Sequence, residues 1–335
     1  MLLFNQGHHY GSLNSQSMAT GLGGAVDGAL RQYGAFDEMG LVHMPSNLNY
    51  LEGSTLTCAG LTAWNALYGL ESKKLMPGDW VLTQGTGGVS IFALQFAKAA
   101  GAKVIATTSS KEKADTLKKL GADHIINYKE DTNWGETAKQ FTGDRGVQHI
   151  VEVGGPTTMK QSLTAIGIDG VITIVGFLGG MKTEKQPTFL DCLMNICTVR
   201  GVLVGSRVQF EEMNRAIEAN NIKPVVDQKV FKLEEAKEAY QVSCCGRYNA
   251  RRDENADKYG STCGSRSTLA NCALATNRSA ETAFTTVYET LRPTLSASNL
   301  VKSLESAAWN GVSPPKISCW VSDSGSCKQS VGTCF

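Results

Sequence analysis

The segment Gly85-Thr86-Gly87-Gly88-Val89-Ser90 stands between an apolar run, Trp80–Gln84, and a helical pattern, Val89–Ala100. A glycine-rich turn between a strand and a helix can cradle a dinucleotide pyrophosphate. Gly85 permits the tight turn, Gly87 lets the backbone approach the phosphates, and the helix N-terminus attracts their charge. Ser90 occupies the place of the usual third glycine and is small enough for close helix–strand packing. An ordinary glycine-rich turn remains the alternative at this point.

A second stretch selects the nucleotide. An acid about 20 residues into such a motif bonds the ribose hydroxyls of NAD. Here Val104–Lys111 reads "VIATTSSK" and contains no acid, with Glu112 and Lys113 following. Hydroxyls and an ammonium suit a 2′-phosphate, which a carboxylate would repel. The residues therefore point to NADPH, the alternative being that Lys111 and Lys113 are solvated first-turn residues.

The surrounding pattern supplies the elements. Strands are expected at Trp80–Gln84, Lys103–Thr107, His124–Asn127, His149–Val153, Val171–Val175 and Thr198–Val204. Helices are expected at Val89–Ala100, Lys111–Leu120, Trp134–Phe141 and Thr157–Ile166. In the first helix Val89, Phe92, Ala93, Phe96 and Ala97 share one face. Short apolar strands alternating with helices imply an α/β fold with a parallel sheet covered on both faces. Residues 1–55 are glycine-rich and read as loops and strands without a complete domain. From about Val242 serine, cysteine and asparagine rise and helical periodicity fades.

Composition sets the outer bounds. The 335 residues carry 42% hydrophobic and 19% charged side chains, enough for a core and for more than one domain. A net charge of +1 gives no global field toward nucleic acid or an anionic membrane. No apolar stretch reaches the ~18 residues of a membrane span, and the start lacks a signal-peptide pattern. The cytoplasm is the expected location if Met1 is the true start. Ten cysteines include Cys58, Cys192 and Cys197; the other seven follow residue 241, and no Cys-x-x-Cys pair occurs. A secreted disulfide protein would rest on those tail cysteines alone, and their odd number fits a closed framework poorly.

Several colinear segments carry a resemblance: "CAGLTAWNALYG", "GDWVLTQGTGGVSIFALQFAKAAGAKVIATTSSKEK", "LGADHIINY", "VEVGG", "GVITIVGFLGG", "VRGVLVGSR" and "KLEEAKEAYQ". Over about residues 1–241 the chain resembles the medium-chain dehydrogenase/reductase superfamily, in its zinc-type alcohol dehydrogenase-like and quinone oxidoreductase-like (enoyl reductase-like) branch. The resemblance implies a Rossmann doubly wound sheet over residues 56–241. It also implies a partial β-rich GroES-like substrate domain over 1–55 and a divergent, irregular tail over 242–335. Both arms of the substrate domain look incomplete, through truncation, mis-splicing or divergence.

The resemblance also implies roles. Thr62 matches a threonine near the nicotinamide, and Gly85, Thr86, Gly87, Gly88 and Val89 match the pyrophosphate turn. Ser109, Lys113 and Tyr128 match positions around the 2′-phosphate, and Gly154 and Gly155 lie beside the ribose. Val175, Gly176 and Phe177, with Val202, Leu203 and Val204, match backbone flanking the nicotinamide ring. Cys58 matches a catalytic zinc ligand in some relatives, but the partner ligands are missing upstream, so a buried thiol is favoured over zinc. His124 and His149, at expected strand starts, read as structural.

The expected activity is NADPH-dependent hydride transfer to a carbonyl or activated C=C bond, in a small-molecule quinone, enone or aldehyde. No catalytic residue is assigned; a tyrosine or water is the candidate proton donor. Homodimerisation is left open. The rival reading is a catalytically inactive nucleotide-binding remnant.

Overall fold

The computed structural model describes residues 1–241 except 182, 184 and 185, together with the backbone of Ile317–Ser318. Six parallel strands form the central sheet: β1 (Trp80–Gln84), β2 (Lys103–Thr108), β3 (His124–Asn127), β4 (Val147–Glu152), β5 (Ile166–Ile174) and β6 (Thr198–Gly201). Their spatial order is β3-β2-β1-β4-β5-β6. The chain thus builds outward from β1 on one side, crosses back, and builds outward again from β4. Ligands of doubly wound sheets bind at the reversal between two such strands, outside their carboxyl ends.

The apolar runs are continuous because both faces are covered. Val81, Val104 and Val151 enter one core with Phe92, Phe96 and Leu94. Their strand neighbours Leu82, Ile105 and Ile150 enter a second core with Trp134, Met159 and Leu163. Successive side chains of a strand point to opposite faces, so each strand divides its apolar residues between the two layers.

The helices covering these faces are α1 (Leu61–Tyr68), α2 (Gly88–Ala99), α3 (Lys111–Lys119), α4 (Trp134–Phe141), α5 (Pro156–Ala165), α6 (Phe189–Asn195) and α7 (Arg207–Ala219). Five residues in π-helical geometry, Leu56–Gly60, lead into α1. Ser110 caps α3 and Ser206 caps α7, each by accepting from the backbone N–H three residues on. Helices α1, α6 and α7 are absent from the periodicity reading.

The structure moves some expected boundaries. Strand β4 begins at Val147, because Val147 pairs with Ile166 before a register shift, so His149 lies inside the strand rather than at its start. For the same reason β5 begins at Ile166, where the helix was expected to end. Strand β6 stops at Gly201, short of the expected Val204, whose φ of +53° turns the chain away.

Residues 1–55 contain the short helices Ser15–Met18 and Tyr50–Ser54, the strand Phe36–Asp37 and isolated bridges such as Leu2 with Leu41. Leu3, Val42 and Leu48 are buried in the same core as α2. Phe36–Asp37 pairs antiparallel with Ile317–Ser318. The expectation of a divergent, irregular tail after residue 241 otherwise lies outside the described residues. Among the described residues no helix is long and apolar enough to cross a membrane.

His149 is buried in the middle of the sheet, with Nε2 3.9 Å from Asp79 Oδ2 and Nδ1 without a hydrogen bond. Burial pushes its pKa down to about 4, with Asp79 opposing. A lowered histidine pKa leaves stability intact above the unfolded value near 6.5, and below it the unfolded chain binds a proton that the folded one does not. Stability should therefore fall by up to about 1.4 kcal/mol per pH unit as pH drops from 6.5 toward 4. Urea titrations across that window check this, and the His149→Gln variant should show a shallower slope.

Candidate functional site

A parallel sheet places every strand's C-terminal end at one edge. Gly85–Val89 follow β1, Ser109 follows β2, Tyr128 follows β3, Gly154 and Gly155 follow β4, Val175–Phe177 follow β5, and Val202–Val204 follow β6. The sheet thereby brings to one edge all the expected cofactor-binding positions except Lys113, in the first turn of α3, and Thr62, buried in the first turn of α1.

The turn after β1 has the form the sequence implies. Gly85 adopts φ +74°, a left-handed conformation that favours glycine, and its N–H donates to Thr107 O at 2.8 Å. A Cβ added at Gly85 or Gly87 would meet no protein atom within 4 Å, so the space above the turn is open. Gly87 is the N-cap of α2, and no side chain caps that helix, so its first backbone N–H groups lack a side-chain acceptor. Such an opening fits a phosphate group. Ser90 is buried and donates to Gln84 O at 2.7 Å, which pins the helix to the end of the strand.

Beside this turn, Thr107 and Thr108 are buried, and Thr108 Oγ1 accepts from Ser110 N at 3.3 Å. Tyr128 N donates to Thr108 O at 3.1 Å, holding the half-exposed Tyr128 next to the end of β2. Lys113 is exposed in the first turn of α3. The end of β2 is therefore lined by hydroxyls and backbone with no acid from Val104 to Lys111.

The turn after β4 is held from below by residues that motif reading did not single out. Glu152 is fully buried. Its Oε1 accepts from Gly154 N and Gly155 N, both at 2.9 Å, and from Thr158 Oγ1 at 2.5 Å. Its Oε2 accepts from Gln84 Nε2 at 2.7 Å and from Ser162 Oγ. The Gln84 amide is oriented by its other contacts: Oε1 accepts from Val153 N and Gly154 N, both at 3.1 Å. One side-chain pair thus ties the end of β1 to the turn after β4, across the point where strand order reverses. The available signal was a glutamate and a glutamine inside apolar strands, where a polar residue must find internal partners.

Gly155, at φ +80°, leaves no room for a side chain: a Cβ would lie 2.8 Å from Phe177 Cβ. The turns after β4 and β5 run side by side, with Val175 N, Leu178 N and Gly179 N donating to Glu152 O, Val153 O and Gly154 O, each at 2.9 Å. After β6, Val202 N donates to Ile174 O at 3.3 Å, and Val204 is buried.

Cys58 is largely buried. Its thiol is pushed up to about 11 by burial, against a hydrogen bond with Thr62. A zinc ligand must be a thiolate with further donors around it. His8 bonds Gly11 O and His9 bonds Gln6 O, each at 3.0 Å, while His43 is exposed. Among the described residues no three His, Cys, Asp or Glu side chains are grouped to hold a metal. Among the described residues the donor set does not fit zinc.

A family model for zinc-binding dehydrogenases matches residues 88–219. The chain is 46% identical over 222 residues to a zinc-type alcohol dehydrogenase-like protein of Schizosaccharomyces pombe, covering 66% of this chain and 64% of that protein. A solved structure assigned as an alcohol dehydrogenase from Sinorhizobium meliloti 1021 superposes with a TM-score of 0.66 at 40% identity, covering 73% of this chain and 71% of the other. A solved NAD-dependent alcohol dehydrogenase gives a TM-score of 0.61 at 30% identity, covering 68% and 64%. The chain spans less than two thirds of the length of such curated relatives.

Replacing Glu152 by glutamine sets a donor amide against either Gln84 Nε2 and Ser162 or the Gly154 and Gly155 N–H groups. Glu152→Gln should destabilise the protein by roughly 2–3 kcal/mol, seen as a lower urea midpoint at unchanged slope. An unchanged midpoint would remove Glu152 from the account of how this edge is held.

Proposed function

The chain belongs to the zinc-type alcohol dehydrogenase-like branch of the medium-chain dehydrogenase/reductase superfamily, and from that premise we propose that it binds NADPH and acts as an oxidoreductase on small carbonyl, quinone or enone substrates. The observation that carries the proposal is the open glycine turn at the uncapped start of α2 beside an acid-free β2 end.

On this reading the backbone of Gly85, Thr86, Gly87, Gly88 and Val89 receives the pyrophosphate, and the α2 N-terminus offsets its charge. Ser109, Lys113 and Tyr128 receive the adenosine 2′-phosphate, and Gly154 and Gly155 pass beside the ribose. Val175–Phe177 and Val202–Val204 flank the nicotinamide with backbone, and Thr62 lies near it. When bound, the reduced nicotinamide would supply the hydride; the protein's part is to orient it and to exclude water. Residues 56–241 form the nucleotide-binding unit in this proposal, residues 1–55 a partial GroES-like substrate domain, and 242–335 a divergent Ser/Cys-rich tail.

The second reading is a nucleotide-binding remnant without turnover. Pure protein with NADPH, tested on quinones, enones and aldehydes, separates the two. Oxidation of NADPH supports the enzyme, and binding without oxidation supports the remnant.

Lys113→Ala removes one charge-assisted phosphate contact, so NADPH affinity should fall roughly 10- to 100-fold while NADH affinity changes little. Equal weakening of both would overturn the 2′-phosphate assignment, and a wild-type preference for NADH would do the same.

Activity should not require zinc. Protein purified without added zinc should retain its turnover after dialysis against a chelator. A stoichiometric zinc lost in Cys58→Ser would overturn this and bring the alcohol dehydrogenase chemistry forward.

A further inference from the structure

Val204 is a β-branched residue held at φ +53° with its side chain buried. Left-handed backbone is unfavourable for valine and persists only where the surroundings impose it; such outliers concentrate at functional sites. Here a buried polar side chain reaches the strained residue. Asn65, buried in α1, donates from Nδ2 to Val204 O at 2.7 Å. The orientation of its amide is set from the other end, where Oδ1 accepts from Arg200 Nη2 at 2.7 Å and Gln209 Nε2 at 3.4 Å.

One side chain therefore gathers β6 through Arg200, the corner after it through Val204, and α7 through Gln209. The next residue leaves the corner no slack: a Cβ at Gly205 would lie 2.9 Å from Leu61 Cδ1. Ser206 then starts α7 with a capping box to Gln209. An asparagine in the largely apolar "LTAWNALY" helix is unexplained by helix formation, and its side-chain hydrogen bonds all go to this corner.

We propose that Asn65 is a positioning residue for the nicotinamide half of the cofactor, acting through the Val204 carbonyl to set the path of the Val202–Val204 backbone. The inference rests on the proposed nucleotide site. Asn65 does not touch the adenosine end, which lies at β2 and β3 on the opposite side of the sheet's reversal point. Its effect must therefore be confined to ligands that carry the nicotinamide.

The test compares NADPH with adenosine 2′,5′-bisphosphate, which lacks the nicotinamide half, by calorimetry on the full chain. Asn65→Asp keeps the shape and the acceptor toward Arg200 but removes the donor to Val204 O. It should weaken NADPH about tenfold and leave the bisphosphate within about twofold of wild type. Asn65→Ala should show the same split, and retained bisphosphate binding shows that each variant is folded. Equal loss for both ligands, or no loss for either, would overturn the positioning role while leaving the nucleotide site standing. Failure of the wild type to bind either ligand would instead overturn the cofactor reading, and this inference with it.

Discussion

The Glu152–Gln84 pair is the constraint on which this edge of the molecule depends. A fully buried carboxylate is costly unless its oxygens are filled by donors. Here two backbone N–H groups, two hydroxyls and an amide fill them. Among the described residues no ion pair reaches Glu152. The donors come from β1, from the turn after β4 and from α5, so the carboxylate is satisfied only when the reversal point is fully assembled. In a low-dielectric interior this all-or-none satisfaction gives a polar network its specificity.

From that pair the order spreads along the edge. The turn after β4, fixed by Glu152, carries the turn after β5 with it through three backbone hydrogen bonds. Gly155 and Phe177 then pack too closely for any side chain at residue 155. Farther out, β6 and α7 are gathered onto α1 by Asn65. Two buried amides, one at the centre of the sheet and one toward its flank, thus fix the backbone that the proposed ligand would meet.

Charge and chemistry along this edge follow a simple division. The space at the glycine turn is open and the start of α2 carries no side-chain cap, while hydroxyls stand at the end of β2 and Lys113 in the first turn of α3. The ionisable groups inside are neutral or enclosed: the Cys58 thiol is pushed up to about 11 and His149 down to about 4, in both cases first by burial. Both groups are uncharged at neutral pH.

The sequence alone determined what depends on local pattern. All six strands and four of the helices were legible, because a doubly covered parallel sheet leaves unbroken apolar runs and its helices a 3.6-residue stripe. The glycine turn and the acid-free β2 end were legible for the same reason: each is a contiguous stretch whose chemistry needs no distant partner. Only the tertiary structure decided the rest. Helix α1 is apolar on nearly all sides and gives a weak stripe, and α6 presents Phe189 and Leu190 to the surface, so periodicity did not reveal them. Strand ends moved where a distant strand supplied or withdrew a pairing partner. Gln84, Glu152, Asn65 and Arg200 have roles that exist only between residues far apart in the chain. A polar residue in an apolar run announces that it must be satisfied, but which groups satisfy it depends on the order in which the strands are laid side by side.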